Sequence, residues 1–405
     1  MKNIIEQLSI SKIELKKKRV LVRADLNVPL RNGLVTDETR IKVFSEGIRP
    51  LLLKGAKIII LTHLGRPKGK FDKNYSVKNI LENLSNNLNL KIQFAKSCIN
   101  SETLSLTQKM KEGDIILCEN VRFYKEEEEN DQDFAMQLSK LGDIYINDAF
   151  SCSHRAHAST DAITKFIPSF AGPLFIQEIN ALSMALENPK APSIAIVGGA
   201  KVSTKISVLK NLVKKLDSII IGGGMANTFL FAKGAPMGRS LHEPTLVKTA
   251  KEILYLAEQS NCKILLPKDI VIAKDLKPNS NVITVNFNEC PSDFMILDAG
   301  MNSIEIFQNE ISKAKTILWN GPLGAFEVPP FDKSTVILAK KAAELTRERK
   351  CITVAGGGDT IAALNMAGVT KEFTYISNAG GAFLEWLEGT KLPGIKALEE
   401  ANNIY

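Results

Sequence analysis

Short runs of apolar and β-branched residues recur along the chain, and most are followed by a glycine-bearing turn and a longer amphipathic stretch. The runs are typical of buried strands, and stretches with apolar residues every three or four positions are typical of helices, for example Lys42–Lys54 and Lys205–Leu216. This alternation predicts an α/β fold of mainly parallel sheets flanked by helices. The predicted strands are Val20–Arg23, Lys57–Leu61, Ile115–Leu117, Ile144–Asn147, Ile194–Val197, Ser218–Ile221, Ile264–Leu266, Thr316–Trp319, Ile352–Ala355 and Phe373–Ser377.

The alternation of strand-like and helix-like segments stops around residues 165–192, where prolines surround one predicted helix, Phe175–Leu186. A chain of 405 residues exceeds the usual size of a single hydrophobic core, so we expect two domains. We therefore expect two Rossmann-like lobes, at residues 1–172 and 193–390, joined by a hinge helix within residues 173–192.

Composition excludes several classes of protein. The chain is 44% hydrophobic and 24% charged, as in ordinary globular proteins. It has no apolar run of roughly 20 residues to span a bilayer, and its N-terminus does not resemble a secretory signal. The six cysteines are scattered without metal-binding spacing, so we expect isolated buried thiols in a reducing, cytoplasmic compartment.

The net charge of +8 permits an anionic partner. Nucleic acid is one possibility, but the basic residues are dispersed and interleaved with acids. Small anionic substrates, or a lysine-rich proteome, explain the excess of positive charge equally well.

Three glycine clusters follow predicted strands in the second half of the chain, at residues 198–199, 222–224 and 356–358. Glycine lets the backbone approach a phosphate, and a following helix offers unpaired N–H groups. A tight turn without a ligand explains each cluster about equally well. Lys201 and Lys205, four residues apart, would present two cations on one helical turn, although they could also be solvated.

Polar residues beside these clusters add a possible nucleotide site. Asp359 either caps a helix or holds Mg²⁺ together with bound phosphates. Asn320 and Glu327 offer polar groups for a ribose. The chain lacks a P-loop, the protein-kinase motifs and a dinucleotide fingerprint, which disfavours those three classes.

Arginine recurs after the predicted strands of residues 20–160. Such residues are usually surface ion-pair partners, but several at one sheet edge suit phosphate and carboxylate. Asp25 and Asn27 could then bind substrate hydroxyls. His63 is a ligand contact, a general base or a structural residue. Of these three roles we favour a ligand contact.

Eight segments from about residue 19 to residue 360, followed in order by LPG at residues 392–394, resemble the signatures of the phosphoglycerate kinase family. They are RVLVRADLNVPL, THLGRP, ENVRF, NDAF with HRAHAS, GGAKVSTKI, GGGMANTF, WNGPLGAFE and GGGDT. The resemblance covers nearly the whole chain and implies reversible transfer of a phosphoryl group between 1,3-bisphosphoglycerate and Mg-ADP, as in glycolysis.

The resemblance also implies a role for each site residue. The 3-phosphoglycerate site would comprise Asp25, Asn27, Arg40, His63, Arg66, Arg122 and Arg155. The nucleotide site would comprise Lys201, Lys205, Asn320, Glu327, Gly357, Gly358, Asp359 and Thr360. Arg40, Lys205 and Lys201 would be catalytic, and Asp359 would bind Mg²⁺.

Further expectations follow from the same resemblance. The first lobe would hold the glycerate and the second the nucleotide, lobe closure would bring the substrates together, and residues 391–405 would pack on the first lobe. We expect a monomer that needs neither membrane nor nucleic acid.

The chain departs from the usual family pattern at Ser151, Thr204, Ile296 and Asn378. A catalytically silent relative that binds nucleic acid or acts as a scaffold is the alternative. It should have lost part of the set Arg40, Lys205 and Asp359, which this chain keeps.

Overall fold

The computed structural model describes residues 8–402. The chain divides into two compact units, one of Met1–Asn180 with Lys391–Tyr405 and the other of Ala181–Thr390. Residues 1–7 and 403–405, which the expected first lobe and tail include, lie outside the described residues.

The first unit is built on a six-stranded parallel sheet with the order β5-β6-β4-β1-β7-β8. A separate antiparallel pair, β2 and β3, follows the first strand. The strands are β1 (Arg19–Ala24), β2 (Leu30–Arg31), β3 (Leu34–Val35), β4 (Lys57–Leu61), β5 (Ile92–Ala95), β6 (Ile115–Cys118), β7 (Ile144–Asp148) and β8 (Ser169–Ala171).

Both faces of this sheet are buried, which explains why its strands read as continuous apolar runs. Alternate residues of β1 enter different cores: Val20 and Val22 pack on one face, and Leu21 packs on the other. The covering helices of the unit are Thr39–Leu53, Leu81–Leu88, Ser101–Gln108, Lys125–Glu128, Gln132–Ser139 and Pro393–Asn402.

The C-terminal helix, Pro393–Asn402, packs against β8 and the 3₁₀ helix Ala162–Lys165. The backbone N–H of Gly394 donates to the carbonyl of Ser153 at 2.9 Å. A C-terminal segment thereby completes the first unit. In sequence, the helix Pro173–Leu182 and the π-helical turn Ser183–Glu187 run across the boundary between the units.

The second unit contains a six-stranded parallel sheet of order β11-β10-β9-β15-β16-β17. Numbered within this sheet, the order is the 3-2-1-4-5-6 of the Rossmann fold. The direction of winding reverses between β9 and β15, and ligands of such sheets bind at this switch point. The strands are β9 (Ser193–Val197), β10 (Ser218–Ile221), β11 (Lys263–Leu265), β12 (Asp269–Ala273), β13 (Ile283–Asn286), β14 (Met295–Ala299), β15 (Thr316–Asn320), β16 (Ile352–Gly356) and β17 (Tyr375–Ser377).

The strands β13, β12 and β14 form a separate antiparallel sheet in this unit. Its apolar residues pack with Leu230 and Met237, while Trp319 and Phe307 lie in the core of the main sheet. The helices are Ile206–Leu212, Gly223–Ala232, Val247–Gln259, Met301–Ile311, Lys333–Arg347, Gly358–Met366 and Gly381–Leu387.

The predicted α/β class with two mainly parallel sheets is confirmed. All ten predicted strands exist, with ends shifted by at most two residues. The prediction missed β5 and β8, which are the short strands at the two edges of the first sheet, the antiparallel pair β2 and β3, and the small antiparallel sheet of β12, β13 and β14. The predicted helix Lys205–Leu216 is shorter, beginning at Ile206 and ending at Leu212.

Candidate active site

In the first unit, Asp25 follows the carboxyl end of β1 and is bound by two donors. One is Ser151, which follows the neighbouring strand β7, and the other is Arg40 in the helix Thr39–Leu53. Arg40 Nη1 and Ser151 Oγ each lie 2.5 Å from Asp25 Oδ2. Arg40 stands in the first turn of its helix, and its side chain remains 34% exposed. The carboxylate is therefore fixed while the guanidinium still reaches solvent.

The loop after β4 is bound on both sides of Gly65. Asn27 Oδ1 accepts a hydrogen bond from the Gly65 N–H at 2.8 Å, and Arg122 Nη1 donates to the Gly65 carbonyl at 3.0 Å. Arg122 is buried, and burial lowers its pKa. Its Nε lies 3.5 Å from the Glu128 carboxylate but has no hydrogen-bond acceptor within residues 8–402. A buried cation with an unused donor is suited to an anionic ligand.

His63 lies at the same sheet edge and is 5% exposed. Burial lowers the pKa of its imidazole well below the ordinary value, and the charges of Arg23, Arg122 and Arg40 add to this effect. The imidazole is therefore neutral in the physiological range.

Arg66 and Arg155 follow β4 and the 3₁₀ helix Phe150–Cys152, and both are exposed. Within the described part of the chain, neither guanidinium forms an ion pair. The structure thus brings Asp25 and Arg40 into contact, ties Asn27 and Arg122 to one loop, and leaves these two arginines open to solvent.

In the second unit, Lys205 marks the switch point of the sheet. Its Nζ donates to the Gly198 carbonyl at 2.6 Å and to the Asn320 carbonyl at 2.8 Å, just beyond β9 and at the end of β15. Burial lowers the pKa of Lys205 to about 8, although the negative charge of Asp359 opposes the shift.

The prediction that Lys201 and Lys205 share one helical turn is wrong. Lys201 is an exposed, extended residue that precedes the 3₁₀ helix Val202–Thr204, and Lys205 precedes the helix Ile206–Leu212. The four-residue spacing does not correspond to a turn of α-helix because the chain changes conformation between the two lysines. Thr204 donates to the Lys201 carbonyl instead.

The third glycine cluster joins the ends of β15 and β16. Asn320 Nδ2 donates to the Gly356 carbonyl at 2.8 Å, and the Gly321 N–H donates to Thr360 Oγ1 at 2.7 Å. Gly357 has a φ of 100°, and a Cβ there would lie 2.8 Å from Asn320 Nδ2. Glycine is therefore required on both conformational and steric grounds. Asn320 Oδ1 is buried without a hydrogen-bond partner among the described residues.

A cavity of about 330 Å³ lies beside these turns in the second unit. Glycines of the first two clusters line it, and its polar and charged lining residues are Asn227, Asp298, Glu327 and Asp359. Its remaining walls are mostly apolar, and they include Leu241, Pro267, Ile270, Ile296, Leu323 and Phe326. An apolar slot with a polar glycine-rich edge suits a planar heterocycle that carries phosphates.

The residues present fit a magnesium ion that arrives with a nucleotide. Within residues 8–402 no cluster of three or more His, Cys, Asp or Glu residues could hold a metal ion by itself. Asp359 is an exposed carboxylate in the first turn of the helix Gly358–Met366. Mg²⁺ is commonly bound by one or two carboxylates plus substrate phosphates, so one carboxylate suffices here.

Sequence reasoning missed two buried charged residues. Arg23 lies inside β1 and Glu127 lies in the helix Lys125–Glu128, and both are 0% exposed. The signal for Arg23 was a charge inside an otherwise apolar strand. Glu127 carried no such signal, because it stands in an acidic run that reads as a solvated loop or helix start.

All six cysteines are free and buried, as expected. Among the described residues, no helix combines the length and apolar character needed to cross a membrane.

Comparison with known proteins gives consistent matches. The family model described as phosphoglycerate kinase matches residues 10–390. A phosphoglycerate kinase of Methylorubrum extorquens is 52% identical over 384 residues, covering 95% of this chain and 96% of the relative. One from Rhizobium meliloti is 51% identical over 385 residues, with the same coverage. The phosphoglycerate kinase structure from Coxiella burnetii aligns with a TM-score of 0.91 at 40% identity, covering 98% of this chain and all of that one.

Proposed function

The chain belongs to the phosphoglycerate kinase family, and from this premise we propose how its residues carry out the reaction of that family. The protein is a kinase and hence a transferase. It catalyses the glycolytic, reversible transfer of a phosphoryl group from 1,3-bisphosphoglycerate to ADP, which gives 3-phosphoglycerate and ATP. The assignments of individual residues that follow are our proposals.

The second unit would bind the nucleotide. The observation that carries this proposal is the position of Lys205 Nζ between the ends of β9 and β15, beside the apolar cavity. The base would enter the cavity, Glu327 would bind the ribose, and the glycine turns would approach the phosphates. The full set is Lys201, Lys205, Asn320, Glu327, Gly357, Gly358, Asp359 and Thr360.

The first unit would bind 3-phosphoglycerate. This proposal is supported by the cations that lie at one sheet edge. Among the described residues, Arg122 Nε has no hydrogen-bond acceptor there, and the Arg40 guanidinium is partly exposed to solvent. Guanidinium groups bind phosphate and carboxylate through paired hydrogen bonds. The set is Asp25, Asn27, Arg40, His63, Arg66, Arg122 and Arg155.

In the transfer step, a β-phosphate oxygen of ADP would attack the phosphorus of the acyl phosphate in line, and the carboxylate of 3-phosphoglycerate would leave. No proton has to be removed from the attacking oxygen. The work of Arg40, Lys205 and Lys201 would be to neutralise charge on the phosphoryl oxygens and to hold the reactants in position.

Mg²⁺ would be held by Asp359 and the nucleotide phosphates. When bound, the ion neutralises phosphate charge and orients the chain of phosphates. The exposed carboxylate of Asp359, in the first turn of the helix Gly358–Met366, would be the ligand, and the neighbouring glycines would leave room for the phosphates.

The boundaries proposed for these roles are residues 1–172 with 391–405 for the glycerate, 173–192 for a hinge and 193–390 for the nucleotide. Direct transfer requires the two substrates to meet, and we propose that closure at the hinge brings this about and excludes water. We also propose a cytoplasmic monomer that needs no nucleic acid or membrane. The six free thiols suit a reducing compartment.

Isothermal titration calorimetry of two variants tests the assignment of the ligands. Lys205→Met should weaken Mg-ADP binding by about tenfold or more, equivalent to 1.4 kcal/mol, and leave 3-phosphoglycerate binding unchanged. Arg122→Met should weaken 3-phosphoglycerate binding by a similar factor and leave Mg-ADP binding unchanged. If Lys205→Met weakened 3-phosphoglycerate binding and Arg122→Met weakened Mg-ADP binding, the assignment of the two ligands to the two units would be wrong.

A further inference from the structure

Arg23 is a fully buried arginine on β1 whose guanidinium makes three close polar contacts, in addition to a longer one of 3.8 Å from Nη2 to Cys152 Sγ. Its Nε donates to Ser159 Oγ at 2.8 Å, and its Nη1 donates to the Ala24 carbonyl at 2.6 Å. Its Nη2 lies 3.1 Å from His63 Nδ1. The side chain is therefore fixed in one position and one orientation.

The charge of Arg23 is balanced through Ser159. Ser159 Oγ donates to Glu127 Oε1 at 2.5 Å, and the Ser159 N–H donates to Glu127 Oε2 at 2.9 Å. Because an unbalanced buried charge is costly, this arrangement keeps the guanidinium where it is. It links Glu127 to His63 through Ser159 and Arg23.

The contact between Arg23 and His63 determines where the histidine proton lies. A guanidinium has only donors and is always charged, so His63 Nδ1 must accept. Cys152 Sγ lies 3.9 Å from the same nitrogen. A neutral imidazole that accepts at Nδ1 carries its hydrogen on Nε2. Within residues 8–402, no hydrogen bond to Nε2 competes with a ligand.

We propose that Arg23 is a positioning residue that fixes His63 in the Nε2–H tautomer, so that His63 binds the anionic three-carbon substrate as a neutral donor. The choice of ligand rests on the proposed function. The tautomer itself rests only on the contacts of Arg23. Nε2 then has no free lone pair, so His63 cannot accept a proton there as a general base.

A neutral donor is suited to this environment. Arg40 and Arg122 already contribute positive charge near the imidazole, and Arg23 itself is buried. A further buried charge on His63 would add repulsion in the free protein. A neutral N–H still donates to a carboxylate or phosphate oxygen without that cost.

Nitrogen-15 NMR of the full-length protein, labelled at histidine, tests the tautomer directly. The chain has only four histidines, and His63→Gln identifies the resonances of His63 by their loss. We expect a bare-type signal for Nδ1 and a protonated-type signal for Nε2 in the free protein at pH 7. A protonated Nδ1, or a charged ring, would overturn the inference.

Two variants test whether Arg23 causes this state. Arg23→Met removes the donor to Nδ1, so the His63 signals should move towards a mixture of tautomers. Cys152→Ala is the control, because it removes the thiol 3.9 Å from Nδ1 and leaves the contacts of Arg23 with Ser159 and His63 in place, so the His63 signals should not change. A folded Arg23→Met protein with unchanged His63 signals would contradict the role. Should that variant fail to fold, the wild-type spectrum still decides the tautomer.

The kinetic test compares His63→Gln with His63→Asn. A glutamine amide places its N–H₂ near the position of Nε2, whereas an asparagine amide lies near Nδ1. We expect the KM for 3-phosphoglycerate to rise about tenfold or more in His63→Asn, as for a lost hydrogen bond to a charged group, and clearly less in His63→Gln. Equal losses, or a larger loss in His63→Gln, would count against donation from Nε2. A wild-type protein without kinase activity would refute the proposed function and leave the tautomer unaffected.

Discussion

Lys205 Nζ lies 2.8 Å from the backbone carbonyl oxygen of Asn320, a residue 115 positions further along the chain. The contact joins the segment after β9 to the end of β15, so the ammonium group stands where the winding of the sheet reverses. In the free protein two neutral carbonyls bind this cation. A phosphate would offer it a charged partner.

The pH dependence of the reaction should report the charge of Lys205. Its pKa of about 8 means that the amine loses its proton as the pH rises through 8. If the positive charge stabilises the phosphoryl group, kcat/KM for ADP should fall about tenfold between the plateau and pH 9, one unit above the pKa. A steady-state pH profile between pH 6 and 10 measures this.

Lys205→Arg is the control for that profile. A guanidinium stays charged throughout this range, so the alkaline fall should disappear even if the absolute rate is lower. An unchanged fall in the variant would assign the titration to another group.

The role of Asp359 can be separated from general nucleotide binding. Asp359→Asn should lower the affinity for ADP by about tenfold or more when Mg²⁺ is present, equivalent to 1.4 kcal/mol, and change it little in EDTA. Calorimetric titrations with and without the metal measure both values, and 3-phosphoglycerate binding serves as the internal control. Equal losses in both conditions would show that the carboxylate does not act through the metal.

Gly357 and Gly358 form a matched pair for the stability of the third glycine turn. A Cβ at Gly357 requires an unfavourable φ and approaches Asn320 Nδ2, whereas a Cβ at Gly358 meets no atom within 4 Å. Gly357→Ala should lower the free energy of unfolding by about 1–3 kcal/mol. Gly358→Ala should change it by less than about 1 kcal/mol. Urea denaturation compares them, and equal effects would contradict the backbone argument.

The Gly358→Ala variant also tests how closely the backbone of this turn approaches the nucleotide. If the turn contacts phosphate, the new methyl group of Gly358→Ala should lower Mg-ADP affinity without loss of stability. Unchanged affinity in this variant would mean that the phosphates bind elsewhere.

Ser151 departs from the family pattern and donates to the carboxylate of Asp25. Ser151→Ala should raise the KM for 3-phosphoglycerate by about threefold to tenfold, because a donor to a charged group is lost at a partly exposed site. Ser153→Ala is the control, since Ser153 Oγ is buried without a hydrogen-bond partner among residues 8–402. Equal KM values for the two variants would remove Ser151 from the site.

The central strands could be predicted because burial on both faces leaves a continuous apolar run, as in β1 and β4. The edge strand β8 has only three residues and begins after a proline, so it lacks that signal. The small sheet around β12 is antiparallel, and residues of β13 and β14 are partly exposed. Its strands therefore lack the continuous apolar run that burial on both faces produces.

Candidate site residues could be predicted from their position after strands, but their partners could not. Asp25 meets Ser151 across 126 positions of sequence, and only the pairing of β1 with β7 brings them together. The error at Lys201 has a local cause, because a helical spacing was assumed where the chain is extended. Glu127 could not be recognised without knowing that Ser159 and Arg23 surround it.

Turnover of Arg40→Ala and Lys205→Ala in a coupled assay of ATP formation tests the central claim most directly. With circular dichroism showing an intact fold, each should lower kcat by about 100-fold or more, as expected for loss of charge stabilisation in the transition state. The exposed ion-pair variants Arg347→Ala and Lys210→Ala should keep wild-type turnover. Wild-type turnover in both Arg40→Ala and Lys205→Ala would contradict the proposed transfer site.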